Sequence, residues 1–203
     1  YNDGQTDSSL KAVKHVQEVQ FLSERDFTAI KKMVFKYGVV ESSLYIGLND
    51  TYTNLDPENY DSETCSYIYT GDENPNHEIV IIGWDDNYPK EYFQGKADSD
   101  GAFICKNSWG SAFGDNGIFY VSYCDSVIGK VGVAYTRIEA PENYDSIYQH
   151  DEAGWVGLIG YGRNKAYMAN VYTAESDELL EAVGFYATDK NTSYKVYVCR
   201  GFK

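Results

Sequence analysis

Two short polar segments hold the side chains best suited to acid–base chemistry in this chain of 203 residues. His77 precedes the apolar run at residues 79–82, and Asn107 follows a second apolar run at residues 103–105. The imidazole of a histidine gains and loses a proton near neutral pH. The side-chain carbonyl of an asparagine can accept a hydrogen bond from one ring nitrogen, which leaves the other nitrogen to move a proton. Such a histidine can take the proton of a cysteine thiol, which leaves a thiolate beside an imidazolium. Because asparagine is uncharged, it orients the ring without adding a third charge to that pair.

Two neighbours of these residues are candidates for supporting roles. Trp109 lies two residues after Asn107, where its ring is expected to keep water from the histidine–asparagine hydrogen bond. Asn76 immediately precedes His77 and offers a neutral polar group to a substrate cleft. A histidine with a purely structural hydrogen bond is the alternative interpretation of His77.

These side chains need a scaffold, and the first part of the chain predicts one helix and several strands. Ser23 and Asp26 form a capping-box pattern, apolar residues then recur at helical spacing up to Tyr37, and Gly38 provides a stop. Residues 39–46 then predict a strand.

The segments around the candidate residues also have the pattern of strands. Residues 79–82 are continuously apolar and β-branched, which is typical of a strand buried on both faces. Residues 103–105, 118–123 and 131–135 predict three more strands. Residues 47–75 are polar and predict a long surface loop.

A change in composition at residues 140–143 predicts a linker and a second module. Four strand-like runs follow it without any helical period, at residues 155–161, 166–173, 180–188 and 194–199. We therefore predict two domains, at residues 1–139 and 140–203, the second an incomplete all-β module.

Charge and cysteine content narrow the function classes. The formal net charge of −14 disfavours partners that carry phosphate, so we expect neither nucleic acid nor anionic membranes as ligands. No apolar run approaches the roughly 20 residues of a membrane span.

The four cysteines are far apart, without the spacing of a zinc site, and are interpreted as buried structural thiols. The chain begins with neither Met nor a signal peptide, which favours an internal fragment.

The two polar segments, with the glycine-aromatic ending of the first strand and the Asn-Ser-Trp-Gly order of the second, resemble the papain-like cysteine peptidase family. The resemblance covers about residues 13–137 and implies an α+β papain-like fold, here the antiparallel sheet half with one packed helix. It implies that His77 is the general base and acid, that Asn107 orients it, and that Trp109 shields the pair. It also implies a cysteine nucleophile in a Cys-Trp context. Neither Cys65 nor Cys105 has that context, so we expect the nucleophile upstream of this chain.

Residues 144–203 resemble the lectin-like, jelly-roll-like module that follows the peptidase domain in some bacterial surface peptidases. This resemblance implies secretion or a cell-surface location, and a cell-wall glycan as a partner. Calcium is a possible ligand of the module, although no acidic cluster with ligand spacing is apparent. We expect no other cofactor and no metal at the peptidase site.

Together these features predict a fragment of a cysteine endopeptidase that acts on protein or peptide substrates and is inactive by itself. A non-catalytic adhesion protein with a peptidase-like scaffold is the alternative. A transglutaminase-type or amidase relative is a third possibility.

Overall fold

The computed structural model describes residues 10–48, 55–150, 157, 159–189 and 191–201. The chain divides into two compact units, Tyr1–Asn143 and Tyr144–Lys203. The domain boundary predicted after residue 139 remains a prediction. In the described part of the chain, no helix is both long enough and apolar enough to cross a membrane.

Among the described residues of the first unit, one α-helix, α1 (Phe27–Tyr37), packs on the sheet. Asp26 caps its start, because its side chain accepts a hydrogen bond from the Ala29 N–H at 2.9 Å. Gly38 ends it with a φ of 95° while its N–H donates to the Val34 carbonyl. The prediction that the cap begins at Ser23 was wrong. The backbone turns between Ser23 and Asp26, and this turn delays the first helical residue.

Eight strands form one sheet in the described residues of this unit, in the order β1-β8-β2-β5-β6-β7-β4-β3. All neighbouring strands are antiparallel except β4 and β7, which are parallel. The strands are β1 (His15–Phe21), β2 (Val40–Leu44), β3 (Tyr60–Asp61), β4 (Ser66–Tyr67), β5 (His77–Asp85), β6 (Ala102–Lys106), β7 (Ile118–Ser122) and β8 (Gly132–Glu139).

The larger of two core clusters combines buried side chains of α1 with buried side chains of the sheet. Ile30 and Val34 of the helix are buried against side chains of the central strands, including Ile81 and Phe103. The helix contacts β2, β5 and β8, so the strand that carries His77 is supported on one side by the helix.

The loop predicted at residues 47–75 is only partly a loop. Residues 49–54 lie outside the described residues, but β3 and β4 fall within the remainder, and Leu55, Tyr67 and Ile68 are buried. The sequence did not predict these strands, because the few apolar residues that are buried here are separated by many polar ones. The two short strands add to the sheet beyond β7.

The second unit contains no strand among its described residues, so the predicted strands at 166–173, 180–188 and 194–199 are not formed there. The run at 155–161 lies partly outside the described residues. A strand is defined by hydrogen bonds to a neighbour, and these segments make no ladder here. Large apolar side chains such as Ile159, Leu179 and Val198 are consequently exposed.

Candidate active site

The register of the sheet brings His77 and Asn107 together. His77 is the first residue of β5, where it pairs with Leu44 of β2. On its other side β5 pairs with β6, whose last residue, Lys106, lies opposite Val80. Asn107 follows Lys106 directly, so antiparallel pairing places it near the start of β5.

The two side chains form a hydrogen bond. The distance from His77 Nε2 to Asn107 Oδ1 is 2.9 Å. An amide oxygen can only accept, so the neutral ring carries its hydrogen on Nε2 and leaves the Nδ1 lone pair free. Nδ1 is therefore the atom that can take up and release a proton.

Asn107 is held rigidly enough to orient this ring. Its residue is 5% exposed, and its Oδ1 also accepts the N–H of Ser108 at 2.8 Å. Its backbone N–H donates to the Gly117 carbonyl at 2.9 Å. Its Nδ2 is buried and has no hydrogen-bond partner among the residues that the structure describes. The orientation of the carboxamide therefore comes from the two bonds to Oδ1.

Trp109 covers one side of the pair. The centroid of its ring lies 5.2 Å from that of His77, and the residue is 42% exposed. Phe113 packs edge-on against Trp109 at 5.1 Å and reaches the core through Phe119 at 5.3 Å. The contact needed for the predicted shielding role is present, and Phe113 anchors it. Phe113 was not among the residues predicted from the sequence, although its position between Gly110 and Gly114 in the same loop was a usable signal.

The loop that carries Trp109 and Phe113 requires glycine at a close approach of its backbone. Gly114 has a φ of 55°, and a Cβ at this position would lie 2.3 Å from the carbonyl oxygen of Ile118. Only glycine allows this approach, which closes the loop onto the start of β7.

Asn76, for which a place in the substrate cleft remains a prediction, binds the neighbouring backbone with its side chain. Its Oδ1 accepts the Ile46 N–H at 2.7 Å, and its Nδ2 donates to the Ile46 carbonyl at 3.0 Å. The residue also lines a cleft of about 620 Å³ together with Tyr45 and Asn59. Both hydrogen-bonding atoms of the carboxamide are already engaged with the protein.

Neither cysteine considered as a nucleophile is placed beside His77. Cys105 lies opposite Ile81, four residues along β5 from His77, which corresponds to about 13 Å. Burial raises the pKa of the Cys105 thiol well above its ordinary value, so the thiolate is disfavoured. Cys65 precedes β4, three strands away from β5. Of the four cysteines only Cys105 is buried, so the interpretation of all of them as buried thiols was wrong.

A metal ion has no evident site, since no group of three or more His, Cys, Asp or Glu side chains is arranged to hold one within the described ranges.

Both parts of the chain match known sequence families. The sequence profile of the papain family of cysteine proteases matches residues 2–141, and that of a lectin-like domain matches residues 147–203. The chain belongs to the papain family of cysteine proteases and continues into a lectin-like domain.

Two solved structures of one clostridial protein are similar to this chain. The cysteine protease and lectin-like domains of Cwp84, a surface-layer associated protein of Clostridium difficile, are 29% identical over 70% of this chain and 30% of that chain, with a TM-score of 0.58. A clostridial Cwp84 variant after propeptide cleavage is 29% identical over 66% of this chain and 32% of that chain, with a TM-score of 0.55. The chain thus spans about a third of the length of these structures. No curated protein gives a significant sequence match.

Proposed function

We propose that this chain supplies the proton-transferring half of a cysteine endopeptidase active site. The observation that carries the proposal is the 2.9 Å hydrogen bond from His77 Nε2 to Asn107 Oδ1, which leaves Nδ1 free. Membership of the papain family supports the reaction type, because a thiolate nucleophile in that chemistry needs a neighbouring imidazole.

Each proton transfer of the proposed reaction passes through His77 Nδ1. The thiol of a cysteine outside this chain, which we expect upstream, transfers its proton to Nδ1, and the thiolate attacks the peptide carbonyl carbon. The imidazolium then gives that proton to the departing amine, and a thioester remains. In the second half Nδ1 takes a proton from water as the water attacks the thioester, and returns it to the thiol. Asn107 keeps the ring in the required orientation throughout, and no metal or other cofactor enters these steps.

The chain by itself is then expected to be inactive. Cys105 is buried on β6 opposite Ile81, which lies about 13 Å along β5 from His77. Cys65 precedes β4, three strands away from β5. A nucleophile has to lie within hydrogen-bond reach of its base.

The test uses the longer protein that contains this chain and a set of peptides with a fluorescent leaving group. We expect His77→Ala to abolish hydrolysis and covalent labelling by a thiol-directed inhibitor. Asn107→Ala should leave slower residual turnover, because the ring is still present but less well oriented. His150→Ala, which alters a histidine of the second unit, is the matched control. Wild-type activity of His77→Ala would refute the proposed base.

A surface location and a glycan partner complete the proposal. A lectin-like domain that follows the peptidase segment supports carbohydrate binding, and the similar Cwp84 is described as surface-layer associated. We propose that the protein acts on proteins at a bacterial cell surface while the second unit binds cell-wall glycan. Binding of calcium by that unit remains a prediction, to be tested by calorimetric titration of the protein with CaCl₂. The alternative of a non-catalytic adhesion protein has no observation in its favour.

A further inference from the structure

We propose that Asn76 is a positioning residue whose carboxamide fixes the backbone that carries His77. The inference rests on the proposed function for its catalytic consequence, but its structural claim concerns this chain alone. The feature that carries it is the pair of hydrogen bonds between Asn76 and the backbone of Ile46, at 2.7 and 3.0 Å.

The paired region of β2 and β5 ends at the catalytic residue. Leu44, the last residue of β2, pairs with His77, the first residue of β5. Strand ends fray because the next residues have no ladder bonds to hold them. His77 would therefore be at the least stable position of its strand if nothing continued the pairing.

Asn76 continues the pairing with its side chain. Its backbone N–H donates to the Leu44 carbonyl at 3.1 Å. Its carboxamide then presents one acceptor and one donor to the N–H and the carbonyl of Ile46. This is the reciprocal two-bond arrangement that two residues of antiparallel strands form with their peptide groups. The residue preceding His77 thus makes three hydrogen bonds, one to the last residue of β2 and two to Ile46, which follows that strand.

The backbone segment at Tyr45 and Ile46, to which Asn76 binds, is itself held by contacts with the core. Ile46 is 6% exposed, and the buried Tyr67 donates its hydroxyl to the carbonyl of Tyr45 at 2.6 Å. Asn76 is therefore bound to a rigid support rather than to a mobile loop end.

The arrangement also explains the residue type. A primary amide carries a donor and an acceptor on one planar group, as a peptide does. An aspartate at position 76 would keep the bond to the Ile46 N–H but would direct an oxygen at the Ile46 carbonyl. An alanine would remove the Asn76 partner of both Ile46 groups.

The effect expected on catalysis follows from the closeness of Asn76 to His77. Asn76 and His77 share a peptide bond, so a shift of Asn76 moves the imidazole relative to its substrate and to Asn107. A misplacement of about 1 Å in an active site can lower the rate about 100-fold. Because Asn76 uses both carboxamide atoms on the protein, its loss should reduce kcat while substrate binding is retained.

The first experiment measures hydrogen exchange by NMR in the 203-residue chain, for wild type, Asn76→Ala, Asn76→Asp and the control Ser42→Ala. Ser42 lies on β2, is buried, and accepts the Gly129 N–H at 2.9 Å, so its substitution also removes a hydrogen bond, but at a position away from Ile46. The measured signals are the Ile46 amide, the His77 Nε2–H and, as an internal reference for global unfolding, the Ile81 amide.

We expect Asn76→Ala to accelerate exchange at Ile46 and at His77 Nε2–H by about tenfold or more relative to Ile81. Asn76→Asp should lie between Asn76→Ala and wild type, and Ser42→Ala should leave both ratios unchanged. Unchanged ratios in Asn76→Ala would overturn the inference, since they would show that the carboxamide does not hold this strand end.

The second experiment measures kcat and KM in the longer protein with several peptides. A positioning role predicts a fall of about 10- to 100-fold in kcat for every peptide, with KM within about twofold of wild type. A raised KM with an altered ranking of the peptides would overturn the inference in favour of direct substrate contact. Absence of peptide hydrolysis by the wild type would contradict the proposed function instead, and the exchange ratios would still decide the role of Asn76.

Discussion

A double-mutant cycle on His77 and Asn107 tests the central hydrogen bond of the site without requiring catalysis. The variants are His77→Ala, Asn107→Ala and the double substitution, all made in this chain. The cycle isolates the energy of the pair, because effects that each side chain has on its own cancel.

The structure provides the expected magnitudes. Oδ1 of Asn107 accepts two hydrogen bonds, from His77 Nε2 at 2.9 Å and from Ser108 N–H at 2.8 Å. Loss of both from a residue that is 5% exposed should lower the free energy of unfolding by about 2 to 4 kcal/mol. Removal of Nδ2 should cost little, because this atom has no partner among the described residues. Only the bond to His77 is shared, so the coupling energy should be about 0.5 to 1.5 kcal/mol.

Urea denaturation followed by tryptophan fluorescence measures these free energies, with Asn87→Ala, a substitution of an exposed asparagine, as the control. The control should change stability by less than about 0.5 kcal/mol. A coupling energy within about 0.3 kcal/mol of zero would refute the reasoning, because it would show that the two side chains do not form this bond in solution.

Three further predictions concern the scaffold around the site. Gly114→Ala should lower the free energy of unfolding by about 2 kcal/mol or more, because the new Cβ would meet the Ile118 carbonyl at 2.3 Å. Glu78→Gln should raise the melting temperature at pH 7, because lost solvation of the carboxyl group and, secondarily, the charge of Glu41 raise the pKa of Glu78. A raised carboxyl pKa penalises the folded state increasingly as pH rises through the folded-state pKa, so the gain should vanish below the unfolded-state pKa and stay below about 1 kcal/mol for this partly solvated group. Cys105 should react with iodoacetamide only after unfolding, as mass spectrometry of labelled peptides can show, since it is buried and its thiol pKa is raised.

Each of these predictions has a comparison that isolates its cause. Gly110 also has a positive φ but its Cβ would meet no atom within 4 Å, so Gly110→Ala should cost less than Gly114→Ala. Equal costs would show that backbone strain, rather than the clash, decides. Glu24→Gln removes an exposed carboxylate and should not reproduce the pH-dependent gain. The exposed Cys199 should be labelled in the native chain, and native labelling of Cys105 at the same rate would contradict its burial.

Local signals predicted the parts of the fold that local interactions form. The spacing of apolar residues, the Asp26 carboxylate and Gly38 suffice for α1, because capping and amphipathic packing act within a few turns of chain. The apolar runs of β5, β6 and β7 were also visible. Local pattern failed for β3 and β4, because these two-residue strands depend on neighbours distant in the chain or too short to recognise: β4 pairs with β7, and β3 pairs with β4.

The chemistry proposed for the site rests on the residue types at positions 77 and 107, an imidazole and a carboxamide, together with the resemblance to the papain-like family. The family resemblance implied their contact, but residue spacing alone could not establish it. The contact depends on the register of β5 against β6, and a shift of one residue would turn each side chain to the opposite face. Only the tertiary structure decided that Nε2 is bound and Nδ1 free, that Phe113 supports Trp109, and that Asn76 binds Ile46. The two hydrogen-bonded pairs, His77 with Asn107 and Asn76 with Ile46, each join residues 30 apart in sequence, and hydrogen bonds of that kind are specified by packing rather than by local pattern.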